Sequence, residues 1–314
     1  YAASSYTGNC GSVPYPTHNS LTIQVRHTVT YDNTIPIGVD QVTVTSAGNL
    51  TIPAGKILYL FDGPGANFPT RDNLIDLDNQ GRINITGAVI LDSSGTCYAG
   101  NGATTTCAGG SATLLQNSAA SIVQYNGAGN QYMWNGAYGS LCLNGSLANA
   151  GAKKFVTGSN SEAMTNVSFI NGKMILGPNN FHLYAAATVG TPGQNTGYMV
   201  ATDVGYCNWT YNAGTAQAHV FPLGGALYSP ATVTFDTVLT GGSLLGRVRE
   251  TKHPQLSKSI ARYWTLTLPD PAAGGLVFQQ FGNYQGYTAA LNYQDADLPG
   301  TPDNGSVEYQ MVEV

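Results

Sequence analysis

From residue 121 to residue 184, short runs of Val, Ile, Leu, Phe and Tyr recur, each cut by Asn-Gly, Gly-Ser or Gly-Pro. No stripe of 3.6-residue period survives across this stretch. It therefore reads as short strands joined by tight turns, not as helices. The N-terminal part has the same texture. Leu21 to Tyr31 alternates apolar and polar positions and predicts one long strand. Gln41 to Val44, Asn49 to Ile52, Ile57 to Leu60, Asn73 to Leu77 and Arg82 to Leu91 follow, separated by Gly-, Pro- and Asn-containing corners. Short strands at short, fairly even spacing suit a solenoid, in which each turn buries its inner face on its neighbours.

Near residue 215 the pattern changes. His219 to Leu223, Ala231 to Phe235, Leu244 to Val248, Ala261 to Leu268, Leu276 to Gln280 and Thr288 to Tyr293 are longer candidate strands. Their spacing matches an antiparallel sandwich. The expected fold is all-β: an irregular arm over 1–20, a β-solenoid-like (parallel β-helix) domain over 21–214, and an antiparallel β-sandwich over 215–314.

Composition narrows the function classes. Charged residues make up 9% of the 314, against roughly 25% in an ordinary soluble domain. Hydrophobic residues make up 42% and are spread along the chain, which argues against disorder. Net charge is −5 with no basic cluster larger than Lys153-Lys154 or the loose group Arg247, Arg249, Lys252. A nucleic-acid partner, which needs a basic stripe to neutralise phosphates, is not expected. No apolar run reaches the length of a membrane-spanning helix. An uncharged polar surface offers little repulsion between copies, so self-association is expected. A start at Tyr1 is what a secreted chain would show after removal of a signal peptide, and equally what a trimmed chain would show; export by a cleaved signal peptide is the expectation.

Five cysteines, Cys10, Cys97, Cys107, Cys142 and Cys207, include no Cys-x-x-Cys pair, which excludes zinc-ribbon and thioredoxin-like readings. Cys97 and Cys107 flank a Gly/Thr loop that a disulfide would staple. Cys142 with Cys207 is a second candidate pair, Cys10 is left over, and buried free thiols are the alternative for each.

Several motifs of the later chain stand in a fixed order. They are Tyr125-Asn126-Gly127, then Trp134-Asn135-Gly136-Ala137-Tyr138-Gly139-Ser140-Leu141-Cys142-Leu143, Lys153-Lys154 and Gly172 to Gly177. Phe221-Pro222-Leu223-Gly224, Tyr228-Ser229-Pro230, Arg262-Tyr263-Trp264 and Tyr293 to Gly300 follow. This order resembles secreted cell-surface proteins of the Bacteroidetes, in which a loosely repetitive β-solenoid precedes a β-sandwich. The resemblance implies surface location, β-architecture and adhesion, and it transfers no catalytic residue. Related sandwiches continue past the Asp-x-Asp motif for more strands, whereas this chain stops at Val314. A missing sandwich strand is therefore expected.

Candidate chemistry is sparse. Asp76 and Asp78 share one side of a strand, as carboxylates of polysaccharide-cleaving β-helices do. A solvated turn with Arg71, Asp72 and Arg82 explains them more simply. Asp295, Asp297 and Asp303 are candidate ligands of a structural calcium ion, without the full EF-hand spacing. The five histidines form no metal motif. Trp134, Trp209 and Trp264 are candidates for sugar stacking or for core.

These readings predict a non-enzymatic extracellular structural protein that needs no cofactor. It would be a surface adhesin or the subunit of a polymeric fibre, with itself as partner and surface carbohydrate as a second. Strand donation or edge pairing would join the copies through Leu21, Ile23, Val25, Val29 and Tyr31, unless this strand simply starts the solenoid and residues 1–20 are the connecting arm. The alternative is a polysaccharide-binding or polysaccharide-cleaving β-helix protein.

Overall fold

A computed structural model describes residues 23–32, 38–39, 42–60, 77–91, 98–100, 115–133, 135–145, 153–156, 161–252, 261–270, 276–278 and 286–293. Among them there is no helix, and all regular structure is strand. The chain divides into two compact units, Tyr1–Ile175 with Phe181–Gly197, and Leu176–Asn180 with Tyr198–Val314. The boundary expected near Thr215 thus falls within the second unit, in the strand Gly214–Phe221. The preceding strand, Cys207–Tyr211, alternates buried and half-buried positions. That alternation reads the same whether its partners are parallel or antiparallel.

In the first unit, successive passes of the chain stack strand on strand. Ile23–Val25, Val42–Val44, Leu77–Asn79 and Leu115–Asn117 form one parallel ladder in that order. Thr28–Thr30, Asn49–Ile52, Arg82–Ile85, Ile122–Tyr125, Ala137–Asn144 and Ser161–Asn171 form a second. The third runs from Gly38–Val39 through Ile57–Leu60 to Ala88–Leu91. It is interrupted by antiparallel Tyr98–Gly100 and resumes parallel through Gln131–Met133, Lys153–Val156 and Lys173–Ile175.

Exact register turns alternation into columns. Leu50, Ile83, Val123, Leu141 and Val167 stand one above another, none more than 6% exposed. Ile52, Ile85, Tyr125, Leu143 and Phe169 form the next column, all fully buried. Each such side chain contributes about 1.5–3 kcal/mol on burial. One corner is repeated: Thr45, Gln80 and Ser118 donate their backbone N–H to Val25, Val44 and Asn79 of the preceding pass. At this corner a Cβ on Gly48 or Gly81 would strike the backbone carbonyl of Val25 or Thr45. Inward-facing Asn79 and Asn117 satisfy the same bend. Asn79 Nδ2 donates to Asn117 Oδ1 at 2.9 Å and Asn117 Nδ2 to the Ala137 carbonyl at 2.8 Å.

The single strand expected over Leu21 to Tyr31 is two strands, Ile23–Val25 and Thr28–Thr30. Alternation cannot register a corner, and here the corner follows from pairing with two different ladders. Val25 is buried, and Ile23, Val29 and Tyr31 are half-buried; Leu21 lies outside the described residues. Tyr31 N–H donates to the Thr51 carbonyl at 2.8 Å.

The second unit is largely antiparallel and sandwich-like, with a short parallel pair, Met199–Val200 with Leu223–Gly224. Cys207–Tyr211, Gly242–Arg249 and Tyr263–Thr267 pair in that order. Gly214–Phe221 and Tyr287–Leu291 both pair with Ala231–Thr240, as does Val277–Phe278. All six strands expected in this region are present, with shifted ends. Aromatic rings join the two sheets: Tyr211 meets Phe235 edge-on at 4.9 Å and Trp209 meets Phe221 at 5.7 Å. Such pairs are worth about 0.5–1.5 kcal/mol beyond their buried area.

One cation lies inside the first unit. Lys154 is fully buried. Its Nζ donates to the Gly127 carbonyl at 2.7 Å, the Gln131 Oε1 at 2.6 Å and the Gly129 carbonyl at 3.3 Å. Three acceptors match the three donors of an ammonium group. Gln131 passes the link on, with its Nε2 donating to the Ile85 carbonyl at 3.0 Å. Burial lowers the Lys154 amine from 10.5 to about 8. Replacing Lys154 by Met is expected to cost about 2–4 kcal/mol at pH 7, because the buried Gly127 carbonyl and the buried Gln131 Oε1 lose this donor. Between pH 8 and 10.5 the unfolded chain holds the lysine proton and the folded one has released it, so folding gains stability as pH rises. The stability gap between wild type and Lys154→Met should therefore widen across that window in urea unfolding curves.

Candidate functional site

Three of the sequence motifs converge in the second unit. In Phe221-Pro222-Leu223-Gly224, Phe221 is buried and sits where a Cβ on Gly246 would meet its ring. The Pro222 carbonyl accepts the Met199 N–H at 2.7 Å, and the Leu223 carbonyl accepts the Ser229 N–H at 2.8 Å. Gly224 lies against the Tyr198 ring and Gly225 against the Glu250 carboxylate, so a side chain at either position would collide. The loop from Gly224 to Tyr228 is then clamped from two sides. Tyr198 OH donates to the carbonyls of Gly225 and Ala226, both at 2.9 Å. Glu250 accepts the Ala226 N–H at 2.9 and 2.8 Å and the Leu227 N–H at 3.3 Å.

Arg262, 2% exposed, backs this clamp. It pairs with Glu250 at 3.2 Å and donates to the Ser229 hydroxyl. Trp264 of the same motif donates its Nε1 to the Ser229 carbonyl at 3.0 Å. Burial, aided by the Glu250 charge, pushes the Tyr198 phenol up to about 12, so it is a fixed donor.

Beside the clamp lies a cleft of about 500 Å³ lined by Val200, Thr202, Gly225, Ala226, Arg249, Glu250, Thr251 and Tyr263. That volume lies in the range of small-ligand sites. The charged groups in it are already engaged. Glu250 serves the loop amides and Arg262, and Arg249 donates to the Thr202 carbonyl. The cleft is thus suited to holding a loop in place and presenting hydroxyls and a tyrosine ring.

His219 marks a second polar point in this unit. Its ring stacks on Trp209 at 4.4 Å and meets Tyr211 edge-on at 4.5 Å. Burial lowers it to about 4, which keeps the imidazole neutral at pH 7.

The other candidates distribute as follows. Cys142 and Cys207 are free thiols, not a disulfide. Cys142 faces outward on Ala137–Asn144, while Cys207 is wholly enclosed in the core of the second unit, where burial pushes its thiol up. Strand alternation decides which way each side chain points, and spacing between cysteines carries no such information. Cys10, Cys97, Cys107, Asp76, Asp295, Asp297, Asp303 and Trp134 lie outside the described residues. Asp78 accepts from Gln80 Nε2 at 2.6 Å, and Arg82 donates to Gln124 Oε1 at 2.7 Å. Trp209 is core at 3% exposure. Among the described residues no group of three or more His, Cys, Asp or Glu could hold a metal ion, and no helix is long and apolar enough to cross a membrane. The sequence reading missed the role of Glu250. The signal for it was a lone acid in the charge-rich segment ahead of Arg262. No family model, curated protein or solved structure matches the chain.

Glu250→Ala should lower the stability of the protein by about 3 kcal/mol, because it strands the buried Arg262 and two loop amides; urea unfolding would measure this. His219 binds its proton in the unfolded chain near pH 6.5 and in the folded one only near pH 4. Stability is then full above pH 6.5 and falls as pH drops toward 4. His219→Phe should flatten the acid limb of a thermal-melting series between those values.

Proposed function

We propose that the protein is a non-enzymatic extracellular structural protein, a cell-surface adhesin or fibre subunit of the Bacteroidetes type. In this reading a parallel β-solenoid stiffens the first unit and a β-sandwich forms the second. The observation that carries it is the in-register parallel stacking of the first unit. Its outward rungs are mostly uncharged: Thr28, Asn49 and Arg82 in one line, Thr30, Thr51, Asn84, Gln124 and Cys142 in the next. Even Arg82 is tied to Gln124. Such a body resists bending and offers little charge repulsion to another copy.

Edge pairing is the route of assembly in this reading. Among the described residues, Ile23–Val25, Thr28–Thr30 and Gly38–Val39 each stand last in the order of their sheet. Unpaired edges are templates for another strand. Export through a cleaved signal peptide accompanies this reading.

Negative-stain electron microscopy of the purified protein tests it. Rods or end-to-end filaments are expected, and Gln24→Lys with Thr28→Lys should shorten them by placing charge on the edge. Rounded particles alone, at every concentration, would overturn the fibre reading. Cleavage of an acidic polysaccharide by the protein would overturn the non-enzymatic one.

A further inference from the structure

A cluster of polar and aromatic side chains lies on the outside of the first unit. Ser161–Asn171 and Phe181–Leu183 pair parallel, with Glu162 opposite His182. Their neighbours Ser161, Ala163, Phe181 and Leu183 are all fully buried, so Glu162 and His182 point outward. Tyr184 follows at the strand end. Its hydroxyl donates to Glu162 Oε1 at 3.1 Å, and His182 Nδ1 lies 3.4 Å from Glu162 Oε2. The rings of His182 and Tyr184 stack with centroids 4.9 Å apart and planes 27° apart. Tyr184 is 39% exposed, one of the few large rings the described surface leaves open.

We propose that Glu162, His182 and Tyr184 form a binding subsite for a neutral glycan. A pyranose presents an apolar C–H face and a rim of hydroxyls. Tyr184, braced by His182 and Glu162, offers a fixed aromatic surface to the first. Glu162 offers an oriented carboxylate to the second. A carboxylate has about four lone-pair sites, and Tyr184 and His182 engage one each. The bonds it makes to sugar hydroxyls are charge-assisted. The rung on the other side of Glu162 is Ala137, whose methyl group leaves the carboxylate's flank uncrowded.

The chemistry selects the ligand. Glu162 repels uronic and sulfated sugars. Three side chains make too small an area for a stable protein partner, which needs about 800 Å² per side.

The subsite goes beyond the fibre reading. Microscopy tests the polymer and sugar titration tests the subsite, so each can fail alone. Cellohexaose, laminarihexaose and mannohexaose would be titrated into the full chain, with binding followed by NMR line broadening and calorimetry. Saturable binding of at least one is expected, weakened about tenfold by Tyr184→Ala. Glu162→Gln should weaken it less, and Tyr184→Phe less than Tyr184→Ala, since the ring remains. If Tyr184→Ala fails to fold by circular dichroism, Glu162→Gln and Tyr184→Phe carry the test. Absence of saturable binding to all three sugars, unchanged affinity in the variants that fold, or tighter binding of hexagalacturonate than of any neutral sugar would each overturn the proposal.

Discussion

Backbone hydrogen bonding between successive passes of the chain is the constraint on which the first unit depends. A parallel strand cannot satisfy its own N–H and C=O groups, and leaving them buried and unpaired is costly. Each pass therefore takes its length, its corner and its inward residues from the pass before it. The repeated corner at Thr45, Gln80 and Ser118 is one expression of this, since each donates to the preceding pass at 2.8–3.0 Å. The columns beginning at Leu50 and Ile52 are another. Once the backbones are in register, the inward side chains are too, and apolar burial follows without any further choice of contacts.

Several polar groups in these cores close a gap in that bonding. Asn79 and Asn117 sit at the bend and serve each other and the backbone. Lys154 serves the turn around Gly127 to Gln131, where the third ladder changes from antiparallel to parallel pairing. The second unit uses the same logic with stronger partners. Its loop from Gly224 to Tyr228 is held by a carboxylate, a phenol and a buried guanidinium. A buried ion pair is retained here for position: it fixes a loop that has no strand to lean on. The low charge content of the chain makes each of these ionic groups easy to assign to a task.

Outside the cores the same economy isolates Glu162, His182 and Tyr184. Most outward rungs carry Thr, Asn, Ser or Gln bonded to their neighbours along the ladder, as Asn84 is to Asn49 at 2.7 Å. A carboxylate flanked by two stacked rings departs from that pattern.

The sequence by itself determined the class of structure. Short alternating runs cut by Gly and Asn could become only strands, and the six later runs are the six expected strands of the second unit. It also determined which positions within a short strand share a face, because alternation has a period of two whatever the partner. Partner choice was decided only in three dimensions. Leu21 to Tyr31 reads as one strand and is two, because its halves join different ladders. Cys207–Tyr211 alternates like the strands before it, and its antiparallel pairing with Gly242–Arg249 is not written in that alternation. Cys142 and Cys207, plausible as a pair by count, face outward and inward. The motifs around Phe221, Tyr228 and Arg262 were visible as text, but their meeting at Ser229 and Glu250 was not. Glu162, His182 and Tyr184 lie up to 22 residues apart and become neighbours through register alone. Local alternation is a property of one strand; which strand lies beside it depends on hydrogen bonds between distant segments, and those exist only in the folded chain.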